Sequence, residues 1–422
     1  MSTFSAERGY ARELDAADPL ARLRERFVFA DPGDDRELIY LDGNSLGRLP
    51  ETTRRRLAEV VGDEWGRGLV RSWSHWIERP ERVGDLLGAE LLGAAAGQVV
   101  VSDSTTVNLY KLAAAALDAR PGRRVIVTDD DNFPTDRYVL EGLAAQRGLE
   151  LRIIQADLDE GVSAVALREA VDADTALVSL SHVAYRSGAL LDMAEINDLV
   201  HEQGALMLWD LCHAVGSVPI DLDATGADLA VGCTYKYLNA GPGAPAFLYV
   251  RRSRQTAMRQ PIWGWFGQRD QFAMGPAYDP EPTIARFTTA SPSILGLTAV
   301  EEGVRLLTEA GIDRLRAKGV ALTSYLIALA DAWLPGFTLA TPRDPARRGS
   351  HVSLHHPEAW RITQALIDAK VIPDYRTPDR IRLGPTPINT RFTDVWEAMI
   401  RLRDIAEAKS YERFSAARSR VT

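Results

Sequence analysis

The stretch ALMLWDLCHAVG, residues 205–216, places an unbroken apolar run directly before Asp210. A short run without alternating polar residues is typical of a strand buried on both faces of a parallel sheet. Asp210 ends this run, and His213 follows closely. A carboxylate at the end of a buried strand is costly unless a positively charged group meets it. The stretch therefore predicts a buried strand with a charged site at its carboxyl end.

Similar apolar runs recur along the chain and alternate with helical patterns. The runs predicted as strands are Gln98–Val101, Arg124–Thr128, Leu151–Gln155, Ala176–Ser181, Ala205–Trp209, Asp228–Val231 and Ala246–Val250. The patterns predicted as helices are Thr52–Trp65, Glu81–Gly93, Val107–Ala119, Asp136–Gln146, Ser163–Val171 and Met193–Gln203. This alternation predicts an α/β fold with a mostly parallel sheet covered by helices. Sheets of this kind bind ligands beyond the carboxyl ends of their strands.

The flanking segments predict a second, smaller domain. Residues 1–30 carry apolar positions at helical spacing and indicate an N-terminal arm. Residues 255–295 form a long irregular connection rich in Pro, Gly and aromatic residues, and Leu297–Leu334 has a long helical pattern. We expect three parts: an arm (residues 1–45) contributing to the small domain, a large domain (residues 46–296) and a small α+β C-terminal domain (residues 297–422).

The composition excludes several classes of function. The chain has 422 residues and a net charge of -9, which argues against a nucleic-acid binder because such proteins usually carry a basic field. Its 2 cysteines, Cys212 and Cys233, lie in apolar stretches, which indicates a reducing compartment rather than a disulfide framework. The first residues lack the apolar core of a secretory signal, and no uncharged apolar run reaches about 18 residues. We therefore expect a cytoplasmic protein without a membrane partner.

Lys236 is a further candidate for a catalytic residue. It lies between two tyrosines in CTYKYLNAGPGAP, residues 233–245. SDSTTVN, residues 102–108, places hydroxyl groups at a helix start, where free amides and the helix dipole favour a phosphate. NFPTD, residues 132–136, offers the ring of Phe133 and the carboxylate of Asp136. Pyridoxal 5′-phosphate requires such a set: a lysine for the imine, an acid for the ring nitrogen, a phosphate cup and a stacking surface. The motifs together predict this cofactor.

Each motif alone has an ordinary structural interpretation. A lysine most often lies on the surface, and hydroxyl residues before a helix are common caps. The chain lacks the phosphate loops of dinucleotide-binding and P-loop proteins and the G-x-S-x-G motif of α/β hydrolases. His351, His355 and His356 cluster without a second motif that would complete a metal site. We interpret these histidines as strand and turn residues and expect no metal.

Six motifs, taken in order along the chain, identify a resemblance to a known family. They are YLDGNSLG (residues 40–47), NFPTD, WDLCHAVG, CTYKYLNAGPG, GWFG (residues 264–267) and RIRLGPTP (residues 380–387). From about residue 20 to the C-terminus the chain resembles kynureninase, above all its bacterial members. The resemblance implies the aspartate-aminotransferase fold, fold type I of pyridoxal-phosphate enzymes, with a mostly parallel seven-stranded sheet in the large domain.

The resemblance implies a role at the cofactor for each matching residue. Lys236 would form the imine, and Asp210 would pair with the ring nitrogen. His213 and Asp136 would support the ring, and Phe133 would stack on it. The residues that would hold the phosphate end or the ring oxygen are Thr105, Thr106, Ser181 and Tyr235. Tyr235 is also the candidate for proton delivery.

The resemblance also implies a shared active site. Trp265 and Ser291 match positions that reach the phosphate of a neighbouring subunit, which implies a homodimer. Trp73 and Ser291 differ from the histidine and asparagine of some animal members, and these differences favour plain kynurenine over 3-hydroxykynurenine. Arg382 matches the arginine that binds the substrate carboxylate, for which a two-pronged donor is well suited.

The implied reaction is hydrolysis of L-kynurenine to anthranilate and L-alanine, through an external aldimine, a quinonoid and a ketimine, in tryptophan and kynurenine catabolism. The stretch YLDGNSLG, which by itself reads as a turn with more polar residues than a turn needs, becomes a wall of the substrate pocket. Asn44 and Ser45 would face the amino-acid end of the substrate.

Other members of the same fold remain alternatives. A cysteine desulfurase or selenocysteine lyase would need a nucleophilic cysteine on a loop of the small domain, whereas Cys212 and Cys233 both lie in the predicted large domain. An aminotransferase would turn over with a keto acid and no water. A non-catalytic protein that kept the fold is disfavoured by the presence of Lys236 and Arg382.

Overall fold

The computed structural model describes residues 4–29 and 38–418. Residues 1–3 and 30–37 of the predicted arm and residues 419–422 of the predicted small domain lie outside the described residues. Within the described ranges the strands are β1 (Ile39–Tyr40), β2 (Val99–Val101), β3 (Val125–Asp129), β4 (Glu150–Ile154), β5 (Thr175–Ser181), β6 (Leu206–Asp210), β7 (Leu229–Gly232), β8 (Phe247–Val250), β9 (Thr338–Leu339), β10 (Val352–His355), β11 (Val371–Ile372), β12 (Asp374–Arg376) and β13 (Arg380–Leu383).

The α-helices in the same ranges surround these strands. They are α1 (Arg8–Ala16), α2 (Glu51–Glu59), α3 (Trp73–Trp76), α4 (Arg79–Leu87), α5 (Thr105–Asp118), α6 (Pro134–Arg147), α7 (Ala164–Ala170), α8 (Met193–Glu202), α9 (Arg252–Gln255), α10 (Ile294–Ala310), α11 (Ile312–Trp333), α12 (Ala359–Asp368) and α13 (Phe392–Glu407). Short 3-10 or π-helical segments span Ala21–Arg26, Val60–Gly68, Leu69–Ser72, Gly88–Leu92, Trp265–Gly267, Gln271–Ala273, Ile284–Phe287, Pro345–Arg347 and Ser410–Arg413.

The large sheet has seven strands in the order β2-β8-β7-β6-β5-β3-β4. Strand β8 runs antiparallel to β2 and β7, and all other neighbours are parallel. Every residue of β2, β3, β6, β7 and β8 is buried, which explains the unbroken apolar runs in the sequence. The predicted α/β fold with a mostly parallel seven-stranded sheet is confirmed.

Local side-chain contacts determine where the helices of the large sheet begin and end. The N–H of Val107 donates to Oγ of Ser104 at the start of α5 (3.3 Å), and Asp192 caps α8 in the same way. The long helical pattern at residues 297–334 is divided at Gly311, whose φ of +79° separates α10 from α11. Glycine adopts this left-handed backbone without strain, so it ends one helix and starts the next.

A smaller set of elements packs beside the large sheet. Strands β12-β13-β10-β9 form an antiparallel sheet, called the small sheet below, and β1 pairs in parallel with β11. Helix α1 packs on α13, where Asp15 accepts a hydrogen bond from the N–H of Phe392 (2.6 Å). Helix α10, however, shares the hydrophobic core of the large sheet. This packing favours a domain boundary near Gly311, and the predicted three-part division stays a prediction.

Among residues 4–29 and 38–418, no helix combines the length and apolar character that crossing a membrane requires.

Candidate active site

The floor of the candidate site is the carboxyl edge of β5 and β6. Asp210 ends β6 and pairs in register with Ser181, which ends β5. The N–H of Cys212 donates to Oδ1 of Asp210 (2.6 Å), and the N–H of His182 donates to the Asp210 carbonyl (2.9 Å). These contacts fix the Asp210 carboxylate at the edge where the sequence predicts a ligand.

A second carboxyl group lies against Asp210. Asp136, in the first turn of α6, is 2% exposed, and its Oδ2 has no hydrogen-bond partner within the described ranges. Burial, reinforced by the charge of Asp210, raises the pKa of Asp136 well above its usual value. Two adjacent buried carboxyl groups are unfavourable unless a cation joins them. The pair therefore fits the protonated ring nitrogen of pyridoxal 5′-phosphate.

Lys236 follows β7 and reaches the same edge. Its Nζ lies 3.3 Å from Nε2 of His213 and 5.9 Å from the centre of the Phe133 ring. Burial and then the charge of Lys236 lower the pKa of His213 well below its usual value, so the imidazole is neutral and can accept a hydrogen bond. Phe133 is 38% exposed, which leaves part of its ring uncovered beside the amine. An amine, an acceptor and a flat apolar surface thus meet at one point, as an imine-forming cofactor requires.

The YLDGNSLG loop packs directly on the loop that carries Lys236. The N–H of Gly47 donates to the carbonyl of Tyr235 (2.8 Å), and a Cβ on Gly47 would lie 2.3 Å from the carbonyl oxygen of Lys236. Glycine is required for so close an approach. This contact accounts for the second glycine of the motif.

The start of α5 is the candidate phosphate site. Thr105 and Thr106 are its first two residues, so their amides lack partners within the helix. Oγ1 of Thr105 lies 3.9 Å from Sγ of Cys212, close to the end of β6, whereas Thr106 is exposed. Ser181 donates its hydroxyl to Oδ1 of Asn132 (2.9 Å) and is only half-buried. The structure therefore brings hydroxyls and free amides to the edge that holds Asp210.

Arg382 lies on β13 of the small sheet and faces the large domain. It is 1% exposed, its guanidinium donates to the carbonyl of Tyr185 (2.6 Å) and to Oγ of Ser45 (2.8 Å), and it pairs with Asp374. With its amide oxygen turned toward the guanidinium, Asn44 accepts from Nε of Arg382 (2.8 Å). Of the four residues predicted to bind substrate, Asn44, Ser45 and Arg382 thus form one contact group, and Trp73 lies outside it.

Three other predicted site residues lie apart from this group. Trp73 contacts the ring of Phe266 (centroids 6.2 Å apart), and Phe266 contacts Trp265 (4.7 Å). Trp265 is 43% exposed, and Ser291 is exposed. No hydrogen bond, cation–π contact or ring contact within residues 4–29 and 38–418 joins Trp73, Trp265 or Ser291 to Lys236. Their predicted roles stay predictions.

Sequence reasoning missed three residues that shape the site. Asn132 orients Ser181, and Asp374 pairs with both Arg376 (2.8 Å) and Arg382. His351, interpreted as a strand or turn residue, is fully buried, and its ring contacts that of His213 (centroids 5.7 Å apart). Asn132 belongs to the NFPTD motif, beside Phe133, so the sequence could have indicated it. Asp374 meets Arg382 because β12 and β13 pair in register, whereas His351 meets His213 only when the two sheets pack together.

Comparisons with known families agree with this geometry. Residues 315–402 match the family described as the kynureninase C-terminal domain, and residues 88–226 match the DegT/DnrJ/EryC1/StrS aminotransferase family. A kynureninase of Burkholderia pseudomallei is 46% identical over 411 residues, covering 95% of this chain and 96% of that protein. A kynureninase of Pseudomonas fluorescens is 46% identical over 408 residues, covering 94% of this chain and 95% of that protein.

Solved structures share the fold at lower identity. An apo cysteine desulfurase from Thermococcus onnurineus NA1 aligns with a TM-score of 0.79 at 18% identity, covering 88% of this chain and 95% of that one. A C-DES mutant with glycine covalently linked to its PLP cofactor aligns with a TM-score of 0.78 at 20% identity, covering 90% and 99%. These structures establish the fold type I architecture.

Proposed function

The chain belongs to the kynureninase family, and from that premise we propose that it hydrolyses L-kynurenine to anthranilate and L-alanine. The observation that carries this proposal is the meeting of Lys236, His213 and the Asp136–Asp210 pair at one strand edge. Its cofactor is pyridoxal 5′-phosphate, which when bound supplies an electron-withdrawing ring that stabilises negative charge at the substrate Cα.

The residues around Lys236 would hold this cofactor by complementary contacts. Asp210, supported by Asp136, would pair with the ring nitrogen, since two buried carboxyl groups favour a cation between them. Phe133 would stack on the ring. His213 would support the ring, and the residues that would bind the phosphate end or the ring oxygen are Thr105, Thr106, Ser181 and Tyr235.

Two residues would move the protons of the reaction. As a free amine, Nζ of Lys236 removes the proton from the substrate Cα. Neutral His213, whose Nε2 lies 3.3 Å away, can accept a hydrogen bond from this amine and orient its lone pair. Burial, followed by the charge of Cys233, raises the pKa of Tyr235, so its hydroxyl is protonated. We propose that this hydroxyl donates the proton to the carbon that becomes the alanine methyl group.

Arg382, Asn44 and Ser45 would bind the amino-acid end of the substrate. Asn44 and Ser45 contact the guanidinium directly, so they set its position. We propose that Trp73 and Ser291 favour kynurenine over 3-hydroxykynurenine, since they stand where some animal relatives have histidine and asparagine.

We further propose a homodimer with shared active sites. Large apolar side chains are exposed along residues 61–77 and 262–295, including Val70 (76%), Phe272 (71%) and Met274 (72%). Clustered exposed apolar groups mark a protein–protein interface. Trp265 and Ser291 belong to the same segment, which supports their contribution to the site of a second copy.

A cytoplasmic location without nucleic-acid or membrane partners completes the proposal. Cys212 and Cys233 are both free and buried, and the N–H of Cys233 donates to Sγ of Cys212 (3.2 Å). Adjacent reduced thiols are typical of a reducing compartment. The net charge of -9 is unfavourable for binding nucleic acid.

Steady-state kinetics with L-kynurenine and 3-hydroxykynurenine tests the substrate assignment. We expect turnover of both, with the higher kcat/KM for L-kynurenine. A higher kcat/KM for the hydroxylated substrate would overturn the roles of Trp73 and Ser291, and turnover of neither would overturn the proposed function.

A further inference from the structure

His351 is buried within the site, and the proposed reaction does not use it. It is 0% exposed, and in the part of the chain that the structure describes neither Nδ1 nor Nε2 makes a hydrogen bond of ordinary geometry, although the backbone of Ala184 interacts with the ring. Nearly all buried polar atoms in proteins are hydrogen-bonded, because an unpaired one destabilises the fold. Since the backbone of Ala184 can pair with one nitrogen only, at least one nitrogen of the ring lacks a partner, and this indicates a group that binds there.

The small sheet places His351 on the same face as Arg382. His351 directly precedes β10, and Ser353, two residues further along, pairs in register with Arg382 of β13. Side chains two residues apart on a strand share a face, and diagonal neighbours on adjacent strands lie about 7–8 Å apart. Ser353 and Arg382 donate to the carbonyls of Arg186 and Tyr185, so this face covers the large domain. His351 lies at the end of that face.

His351 also lies next to His213, the residue beside Lys236. Its ring contacts that of His213, with centroids 5.7 Å apart and planes at 61°, and His213 in turn lies 3.3 Å from Nζ of Lys236. The ring also packs on the turn at Gly188, where a Cβ would come within 3.2 Å of Nε2. His351 thus lies between the amine of Lys236 and the guanidinium of Arg382.

The charges around His351 favour an anion. Burial, followed by the charges of Arg382, Lys236 and Arg376, lowers the pKa of His351 well below its usual value, so the ring is neutral and keeps one N–H. Arg382 has already engaged Nε and both terminal nitrogens with the chain itself. An anion bound between the cations therefore needs a further donor.

We infer that His351 donates a hydrogen bond to the α-carboxylate of the bound amino acid, beside Arg382. The inference rests on the proposed function, in which Lys236 marks the amino group of the substrate and Arg382 its carboxylate. A neutral imidazole between these two groups can reach the carboxylate while Arg382 stays paired with Asp374. His351 is thereby a specificity-determining residue for α-amino acids.

Ligand binding to the holoenzyme tests this role without relying on turnover. Binding of L-alanine and of its carboxamide, L-alaninamide, is followed by the change in visible absorbance of the cofactor. The wild type is expected to prefer L-alanine. His351→Met is expected to weaken binding of L-alanine by roughly tenfold to a hundredfold, the effect of removing a hydrogen bond to a charged group, with L-alaninamide unchanged. His351→Gln, which retains an N–H donor, is expected to keep most of the preference.

His355 provides the matched control on the same strand. Its Nδ1 lies 3.0 Å from Asp379, and its side chain is partly exposed, so His355→Gln is expected to leave binding of both ligands unchanged. Equal weakening of both ligands in His351→Met, or none, would overturn the inference. Loss of the cofactor absorbance in both His351 variants would also overturn it, since His351 would then serve the fold. Wild-type turnover of L-kynurenine is measured separately: its absence contradicts the proposed function, whereas turnover without altered ligand preference contradicts only the role of His351.

Discussion

The Nζ atom of Lys236 lies 3.3 Å from Nε2 of His213, and the two residues follow adjacent parallel strands, β7 and β6. The position of the amine is therefore set by two adjacent strands of the large sheet. Because burial keeps His213 neutral, it accepts a hydrogen bond from the amine instead of repelling it. The contact therefore holds the reactive amine at the carboxyl edge of the large sheet.

Replacement of the lysine is expected to remove both cofactor attachment and turnover. Lys236→Ala should lose the visible absorbance of the imine and reduce turnover by at least about 10²–10⁴-fold, the contribution of a positioned general base. Absorbance spectra and initial rates measure both effects. The exposed Lys409 supplies the control, since Lys409→Ala should resemble the wild type. An unchanged spectrum in Lys236→Ala would place the cofactor elsewhere.

Removal of the charge at Asp210 is expected to affect rate more than cofactor binding. Asp210→Asn keeps an acceptor for the N–H of Cys212 but weakens the pairing with a protonated ring, so kcat should fall by about 10²–10³-fold. Rates at saturating cofactor test this. Asp118→Asn, at a partly exposed ion pair with Arg147, is the control. A normal kcat in Asp210→Asn would contradict the assigned role.

Asn44→Ala is expected to raise the KM for L-kynurenine by about tenfold and leave cofactor absorbance unchanged, because it removes an acceptor that orients Arg382. Steady-state kinetics and absorbance spectra are measured together. Loss of cofactor binding would show instead that the YLDGNSLG loop serves the fold.

His182 is expected to make stability depend on pH. Burial lowers its pKa from 6.5 to about 4, and its ring packs on Trp209. Between these values the unfolded chain binds a proton that the folded chain does not, so the contribution is fully present above pH 6.5 and is lost as the pH falls toward 4. From about pH 7 to about pH 5 the wild type should lose about 2 kcal/mol more than His182→Phe in urea unfolding. Equal losses would contradict this.

The exposed apolar side chains along residues 262–295 are expected to be buried at the interface of a dimer. Phe272→Asp places a charge at a side chain that is 71% exposed in one chain, so it should dissociate the dimer at micromolar concentration and lower activity. Sedimentation velocity measures the state of assembly. Val165→Asp, at a position 69% exposed on α7, should remain dimeric. A wild-type monomer would contradict the shared site.

The large sheet and the functional residues at its carboxyl edge could be predicted because both leave local patterns in the sequence. Strands such as β6 are buried on both faces, which demands unbroken apolar runs. Asp210 and Lys236 directly follow such runs, so their convergence at one edge follows from parallel strands.

Contacts between distant segments could not be predicted in the same way. Arg382 pairs with Asp374 on the neighbouring strand of the small sheet, whereas Ser45 meets it only after the N-terminal segment joins that sheet. The burial of His351 against His213 depends on how the small sheet packs on the large one. The division of the long helical pattern depends on the backbone at Gly311, whose sequence position alone is compatible with a continuous helix.

Product analysis of the wild-type holoenzyme with L-kynurenine distinguishes hydrolysis from transamination. Anthranilate is followed by fluorescence, and alanine and keto acids are measured in the same samples. We expect equal amounts of anthranilate and alanine, with no added keto acid required. Consumption of L-kynurenine that depends on an added keto acid and releases neither anthranilate nor alanine would identify an aminotransferase and overturn the proposed hydrolysis.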